Sequence, residues 1–176
     1  MGHMLSKKFL KTQQVVLMGL DSAGKSTLLY RIQRGVVMQT SPTVGFNVLT
    51  LELDKKTVFT VWDIGGQGSM RAYWKYYLEN CEALVFVVDA SDRARMEEAK
   101  TALKKVLSDH NMTDIPLMVL ANKSDLPDAM TVSEVSKQLD MDSYKNGVWE
   151  IQACSALKGL GLQQAFQSVA KLIQNN

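Results

Sequence analysis

Residues 19–26 read Gly19-Leu20-Asp21-Ser22-Ala23-Gly24-Lys25-Ser26, a G-x-x-x-x-G-K-S run between an apolar stretch and a segment of helical period. Few folds can use such a run. Its glycines let the backbone wrap closely around phosphates, so that successive N–H groups point inward. A following helix turns the positive end of its dipole on the same point. Lys25 can reach the outer phosphates, and the Ser26 hydroxyl can take a position on Mg²⁺. The chemistry needs a strand, a loop and a helix in that order, and residues 14–19 and 25–33 read as that strand and that helix. The motif secures phosphate binding; it does not name the nucleotide.

The alternation continues. Residues 46–53 and 57–64 read as strands joined by the turn Asp54, Lys55, Lys56. Residues 83–89, 115–121 and 148–153 read as further strands, and 93–108, 131–139 and 160–173 as helices. The expectation is an α/β fold: a mostly parallel six-stranded sheet with one antiparallel edge strand and helices on both faces. Ligands of such sheets bind beyond the carboxyl ends of the strands, which is where the unusual residues fall. There are no repeats and no Pro/Gly linker, so residues 13–176 are expected to form one domain, preceded by a distinct segment at 1–12. A formal net charge of +2 gives no reason to expect a nucleic-acid partner. Cys81 and Cys154 lack metal or disulfide spacing, and no apolar run approaches the roughly 20 residues that span a bilayer.

The base must be read elsewhere. After the strand at 115–121 comes Asn122-Lys123-Ser124-Asp125, an N-K-x-D run. The Asp125 carboxylate can accept hydrogen bonds from guanine's N1–H and exocyclic amine, a donor pair that adenine lacks. Asn122 can brace the loop, and the Lys123 stem can cover the base plane. Alone, these four residues fit a polar turn equally well; beside the phosphate loop, guanine is the better reading.

With these motifs the chain resembles the Ras-like GTPases, and within them the Arf and Arf-like family. Pro42-Thr43-Val44-Gly45-Phe46-Asn47 looks like the family's switch I and Trp62-Asp63-Ile64-Gly65-Gly66-Gln67 like its switch II, while Gly19-Leu20-Asp21 is also Arf-like. The resemblance implies a P-loop NTPase (Ras-like) fold and a GTP/GDP switch using Mg²⁺. It assigns nucleotide contacts to Asp21, Ser22, Ala23, Gly24, Lys25, Ser26 and Thr27, and to Asn122, Lys123 and Asp125. A second base loop, Cys154-Ser155-Ala156, would bring the Ala156 N–H to the guanine O6. Thr43 would place its hydroxyl on Mg²⁺ and its N–H on the γ-phosphate, Asp63 would hold a Mg²⁺-bound water, and the Gly66 N–H would meet the γ-phosphate. Gln67 would orient the attacking water, with Lys25 and Thr43 completing the catalytic set. No arginine lies in residues 39–47, so slow intrinsic hydrolysis is expected, accelerated by an activating protein that supplies an arginine in trans. Arg71 is not catalytic by family precedent.

Partners follow from the same resemblance. Phe46, Trp62 and Tyr77 would form an aromatic triad for effectors, with the intervening hairpin sliding in register to couple nucleotide state to the N-terminus. An exchange factor, a monomeric state and a role in membrane trafficking or signalling are implied. Met1-Gly2-His3-Met4-Leu5-Ser6 fits the myristoylation pattern, and Met4, Leu5, Phe9 and Leu10 alternate with Lys7, Lys8 and Lys11 as in a basic amphipathic helix. Gly2-His3-Met4 also matches a purification scar, and a surface helix packed on the domain is the competing reading of the segment. A cytoplasmic protein, peripherally bound to internal membranes, is the expectation. Ser124 and Cys154 depart from common family residues without touching the argued contacts, and Gly68 and Ser69 are unusually small and uncharged. Two rival readings stand: a GTP-loaded scaffold without significant hydrolysis, and a P-loop kinase or ATPase.

Overall fold

In β1 (Gln13–Gly19), side chains alternate between two cores. Val15 and Leu17 enter one, Val16 and Met18 the other, as the period of two in a strand buried on both faces requires. The computed structural model describes residues 12–34 and 46–176. Thr43, the rest of the expected switch I before Phe46, and residues 1–11 of the N-terminal segment lie outside the described residues.

The remaining elements are α1 (Lys25–Arg34), β2 (Phe46–Glu52), β3 (Val58–Ile64), β4 (Ala83–Asp89), α2 (Met96–Leu107), β5 (Leu117–Asn122), α3 (Val132–Gln138), β6 (Trp149–Ala153) and α4 (Leu162–Gln174). The six strands form one sheet in the order β2-β3-β1-β4-β5-β6. β2 pairs antiparallel with β3, and every other pairing is parallel. This is the expected six-stranded sheet with one antiparallel edge strand. Val85, Val87, Met118 and Leu120 extend the Val15–Leu17 core toward α1 and α4, where Phe59 and Phe166 meet at 6.4 Å. Leu84, Phe86, Val88 and Val119 extend the other core toward α2 and α3.

Element ends have local causes. The Asp54 carboxylate accepts from the Lys56 and Thr57 amides (both 2.8 Å), which closes the hairpin turn. β5 starts at Leu117 rather than 115, because Pro116 has no N–H to give a ladder. The helix expected over 93–108 divides into a 3₁₀ turn, Arg93–Arg95, and α2 proper. Thr131 is the N-cap of α3, and its hydroxyl and Glu134 form a reciprocal capping box. α4 begins at Leu162 because Gly161, at φ +77°, turns the chain left-handed just before it. The stretch after β3, given no element in the sequence reading, forms a 3₁₀ helix at Gly68–Tyr77. Buried Trp74 pins it, donating to the Gly65 carbonyl (2.9 Å) and packing edge-on against Phe86.

Since β1, β3, β4, β5 and β6 run parallel, Gly19, Ile64, Asp89, Asn122 and Ala153 end at one edge of the sheet. Everything below is assembled there.

Candidate functional site

The phosphate loop leaves β1 at Gly19 and turns into α1 at Lys25. Gly24 sits at φ +94°, and a Cβ there would lie 2.4 Å from Asn122 Nδ2. Conformation and space both demand glycine. Lys25 is buried, at 6% exposure. Desolvation lowers its pKa, partly offset by the negative charge of Asp63. Such a buried ammonium favours an anion held within the loop. The Ser26 hydroxyl donates to Asp63 Oδ2 (2.5 Å), joining the head of α1 to the end of β3. A hydroxyl and a carboxylate are hard oxygen donors, the set that suits Mg²⁺. No group of three or more His, Cys, Asp or Glu is arranged to hold a metal among the described residues.

The loops that follow β5 and β6 and the phosphate loop are bonded into one body. Asn122, 1% exposed, donates through Nδ2 to the Ala23 carbonyl (2.9 Å) and accepts at Oδ1 from the Ala156 amide (3.0 Å). One side chain thus spans three loops. The Lys123 ammonium donates to the Ser22 carbonyl (3.0 Å) and pairs with Asp89 at 2.7 Å. Ser22 and Lys123 both adopt left-handed φ values, 66° and 63°, conformations held only where surrounding bonds fix them. Burial opposes ionisation of Asp89, but hydrogen bonds from Lys123 and Ser91 outweigh it and hold its carboxyl below the ordinary value. Fully buried Ser155 donates to Asp125 Oδ1 (2.8 Å) and so aims the carboxylate. Cys154 packs in the core with its thiol pushed up to about 12 by burial, and its carbonyl accepts from the Ser124 hydroxyl (2.7 Å).

A cavity of about 250 Å³ opens between these loops, lined by Gly24, Thr27, Asn122, Lys123, Asp125, Leu126, Ala156 and Leu157. Leu126 and Leu157 are exposed apolar residues at its mouth, at 42% and 61%. The sequence reading missed both, though each stands next to a singled-out motif. The Ala156 amide, expected to face the base, is engaged with Asn122, whose Oδ1 is the acceptor within its reach.

At the other end of the site Gly66 rests directly on the phosphate loop. A Cβ there would lie 2.3 Å from the Gly19 carbonyl oxygen and 2.6 Å from the Asp21 nitrogen. Its carbonyl faces the loop and accepts from the Asp21 amide (3.1 Å) and from Arg71 Nε (3.1 Å). Gln67 is half-buried at the head of the 3₁₀ helix, where its carbonyl accepts from the Met70 amide (2.8 Å). Arg71, Arg95 and Glu98 close around Asp21: Arg95 pairs with it at 2.8 Å and Arg71 at 3.3 Å. The hydrogen bond from Arg95 holds the Asp21 carboxyl below its ordinary range. Arg95 and Glu98 carry no motif, so the sequence did not single them out.

Phe46, Trp62 and Tyr77 meet as a three-ring cluster, with centroids 5.6 to 6.5 Å apart. Trp62 is half-buried and donates to Gln14 Oε1 (2.9 Å), whereas Phe46 is 47% exposed. Val48, Tyr73 and Tyr76 are exposed on the strand and 3₁₀ helix that carry the cluster.

The comparisons agree with this architecture. The ADP-ribosylation factor family matches residues 1–173. Among solved structures, the Arl6 (BBS3) small GTPase of Trypanosoma brucei, solved with the bound nucleotide analogue GppNp, is similar at a TM-score of 0.85 and 31% identity. The match covers 94% of this chain and 99% of that one. A phosphate loop bonded to an N-K-S-D loop on this sheet, with a family match over nearly the whole length, leaves one conclusion: the chain belongs to the Arf family of small GTPases.

Proposed function

We propose that this protein is a GTP/GDP switch that hydrolyses GTP slowly and presents its nucleotide state to effectors. The observation that carries the reading is the Asn122 bridge, which joins the loop suited to phosphates and the loop suited to guanine at fixed separation. In this reading the amides of residues 21–27 and the Lys25 ammonium hold the phosphates. The Asp125 carboxylate, aimed by Ser155, accepts from guanine, while the Lys123 stem and Leu157 flank the base. Ser26 and Thr43 would ligate Mg²⁺ directly and Asp63 would hold it through water. The metal, when bound, supplies charge neutralisation on the β- and γ-oxygens. Gln67 orients the attacking water, and Thr43 and Gly66 sense the γ-phosphate. Hydrolysis is slow without an arginine from an activating protein.

The ring cluster Phe46–Trp62–Tyr77, with Val48, Tyr73 and Tyr76 beside it, supports an effector surface, because exposed aromatic groups of this kind anchor protein interfaces. Residues 13–176 would act as a monomeric switch domain. Segment 1–12, lipidated at Gly2, would bring it to internal membranes for trafficking or signalling. No helix among the described residues is long and apolar enough to cross a membrane, so attachment would be peripheral.

The test is Asp125→Asn. The variant should lose most guanosine-nucleotide affinity and gain affinity for xanthosine nucleotides, whose 2-carbonyl accepts where guanine's amine donates. ATP binding, unaffected by the change, would establish the kinase or ATPase reading instead. Phosphate release with and without a candidate activating protein separates the slow enzyme from a non-hydrolysing scaffold.

A further inference from the structure

The cluster around Asp21 has a chemistry that nucleotide binding alone does not require. Asp21 is the third residue of the phosphate loop, and its amide is one of those suited to a phosphate oxygen. Here that amide donates to the Gly66 carbonyl (3.1 Å). The same carbonyl accepts from Arg71 Nε (3.1 Å), so two donors hold it in place. Arg71 also reaches Asp21 Oδ1 (3.3 Å) and Glu98 Oε2 (3.2 Å) through Nη2. Arg95 completes the ring: it donates to the Asp21 carbonyl (3.0 Å), pairs with the Asp21 carboxylate at 2.8 Å, and pairs with Glu98 at 2.9 Å. The four side chains are between 23% and 41% exposed.

The division of labour within this ring is informative. Among the described residues, Arg95 bonds to the phosphate loop and to α2, so these bonds do not depend on where the 3₁₀ helix lies. Arg71 sits on that helix and is the only one of the four whose bonds join it to the loop. Its planar guanidinium makes three contacts in different directions, a geometry that lysine cannot reproduce. For the Asp21 amide to meet an oxygen of a third phosphate at this end of the loop, the Gly66 carbonyl must leave that amide. Its displacement costs the hydrogen bond from the Asp21 N–H and the one from Arg71 Nε together, whereas a diphosphate makes no such demand.

We propose that Arg71 is a positioning residue that sets nucleotide preference: by clamping the Gly66 carbonyl onto the Asp21 amide, it favours the diphosphate-bound form over the triphosphate-bound form. The inference rests on the guanine-nucleotide reading above and concerns the balance between two ligands of that one site.

Dissociation constants for fluorescent GDP and for a fluorescent non-hydrolysable GTP analogue test it, measured on the full chain with Mg²⁺. Arg71→Ala should move the ratio of the two constants toward the triphosphate by about tenfold, the scale of a charge-assisted hydrogen bond. Arg71→Lys, which keeps the charge and most of the packing, should shift the ratio in the same direction. Amide exchange at Asp21 in the GDP-loaded protein should quicken in both variants. Arg93→Ala, which removes an exposed pair with Glu134 (3.0 Å) on the rim of α3, should leave the ratio unchanged. An unchanged ratio in both Arg71 variants, even with both affinities weakened equally, overturns the clamp and leaves the switch reading intact. Failure of the wild-type protein to bind either guanine nucleotide overturns both.

Discussion

The two ends of the proposed nucleotide site, a base end and a switch end, are held by different physics. At the base end, Asn122 and Ser155 are buried to within 1%, and their hydrogen bonds have neutral donors and run to backbone or carboxylate. At the switch end, Gly66 is held by one backbone bond and by Arg71, within a ring of arginine and carboxylate side chains that are 23% to 41% exposed. Buried polar groups must be paired, so the base end has one arrangement it can adopt without loss. Exposed ion pairs contribute little each, commonly 0 to about 1 kcal/mol, so they can exchange for other partners at small cost. The phosphate loop is shared between these regimes. The Ser22 and Ala23 carbonyls face the base loops, while Asp21 faces the switch. On the proposed reading, affinity should be set at one end and nucleotide state at the other.

The hardest blow to that division is Asn122→Ala. It leaves the Ala23 carbonyl and the Ala156 amide buried without a partner, at about 1–3 kcal/mol each. Thermal unfolding should fall by several degrees, and both nucleotides should bind roughly 100-fold more weakly, by similar factors. A large change in the GDP-to-GTP ratio, with little change in either affinity, would break the comparison, because it would put state selection at the base end.

Lys25→Met probes the shared middle. Burial lowers the lysine pKa, so the folded nucleotide-free protein binds fewer protons at this site than the unfolded chain near the ordinary value of 10.5. The charged form therefore costs stability below the lowered pKa, and that cost fades as pH rises through it toward the ordinary value. Without nucleotide, the methionine variant should be the more stable protein at neutral pH, and its advantage should shrink in denaturant titrations at alkaline pH. Nucleotide affinity should move the opposite way, falling by about two orders of magnitude with the loss of a charged contact. An advantage that grows with pH would show that the wrong cause has been assigned.

The same contrast explains what the sequence disclosed. Contacts built from neighbours in the chain were legible: Gly19 to Ser26, Asn122 to Asp125, the Asp54 turn, and a sheet whose edge strand follows from the hairpin. Leu157 stood one residue beyond Ala156 and was overlooked because an exposed leucine is ordinary in isolation. Arg95 and Glu98 were beyond reach for a deeper reason. Arg95 lies 74 residues from Asp21, and Arg71 lies 50 residues from it. Nothing in an arginine on a helix says which distant carboxylate it will meet. The partners of the Gly66 carbonyl were equally hidden, since nothing in Gly-Gly-Gln says which distant donors will meet it. Local chemistry was written in motifs; the state of the switch was written in pairings between them.

The smallest effect separates the ends most sharply. Ser155→Ala removes one hydrogen bond to Asp125, worth about 1 kcal/mol, or about fivefold in affinity. Because the donor is neutral and fully buried, salt should hardly alter that loss. Because Asp125 is remote from Gly66, the loss should be equal for the diphosphate and the triphosphate analogue. The Arg71 preference should behave otherwise. Its partners are wet and charged, and at about 1 M salt the screening length is near 3 Å, comparable to the pairs themselves. Raising salt should therefore carry the wild-type GDP-to-GTP ratio toward that of Arg71→Ala, while the Ser155→Ala penalty stays fixed. If both respond to salt alike, the two ends are not held by different forces, and the contrast between them fails.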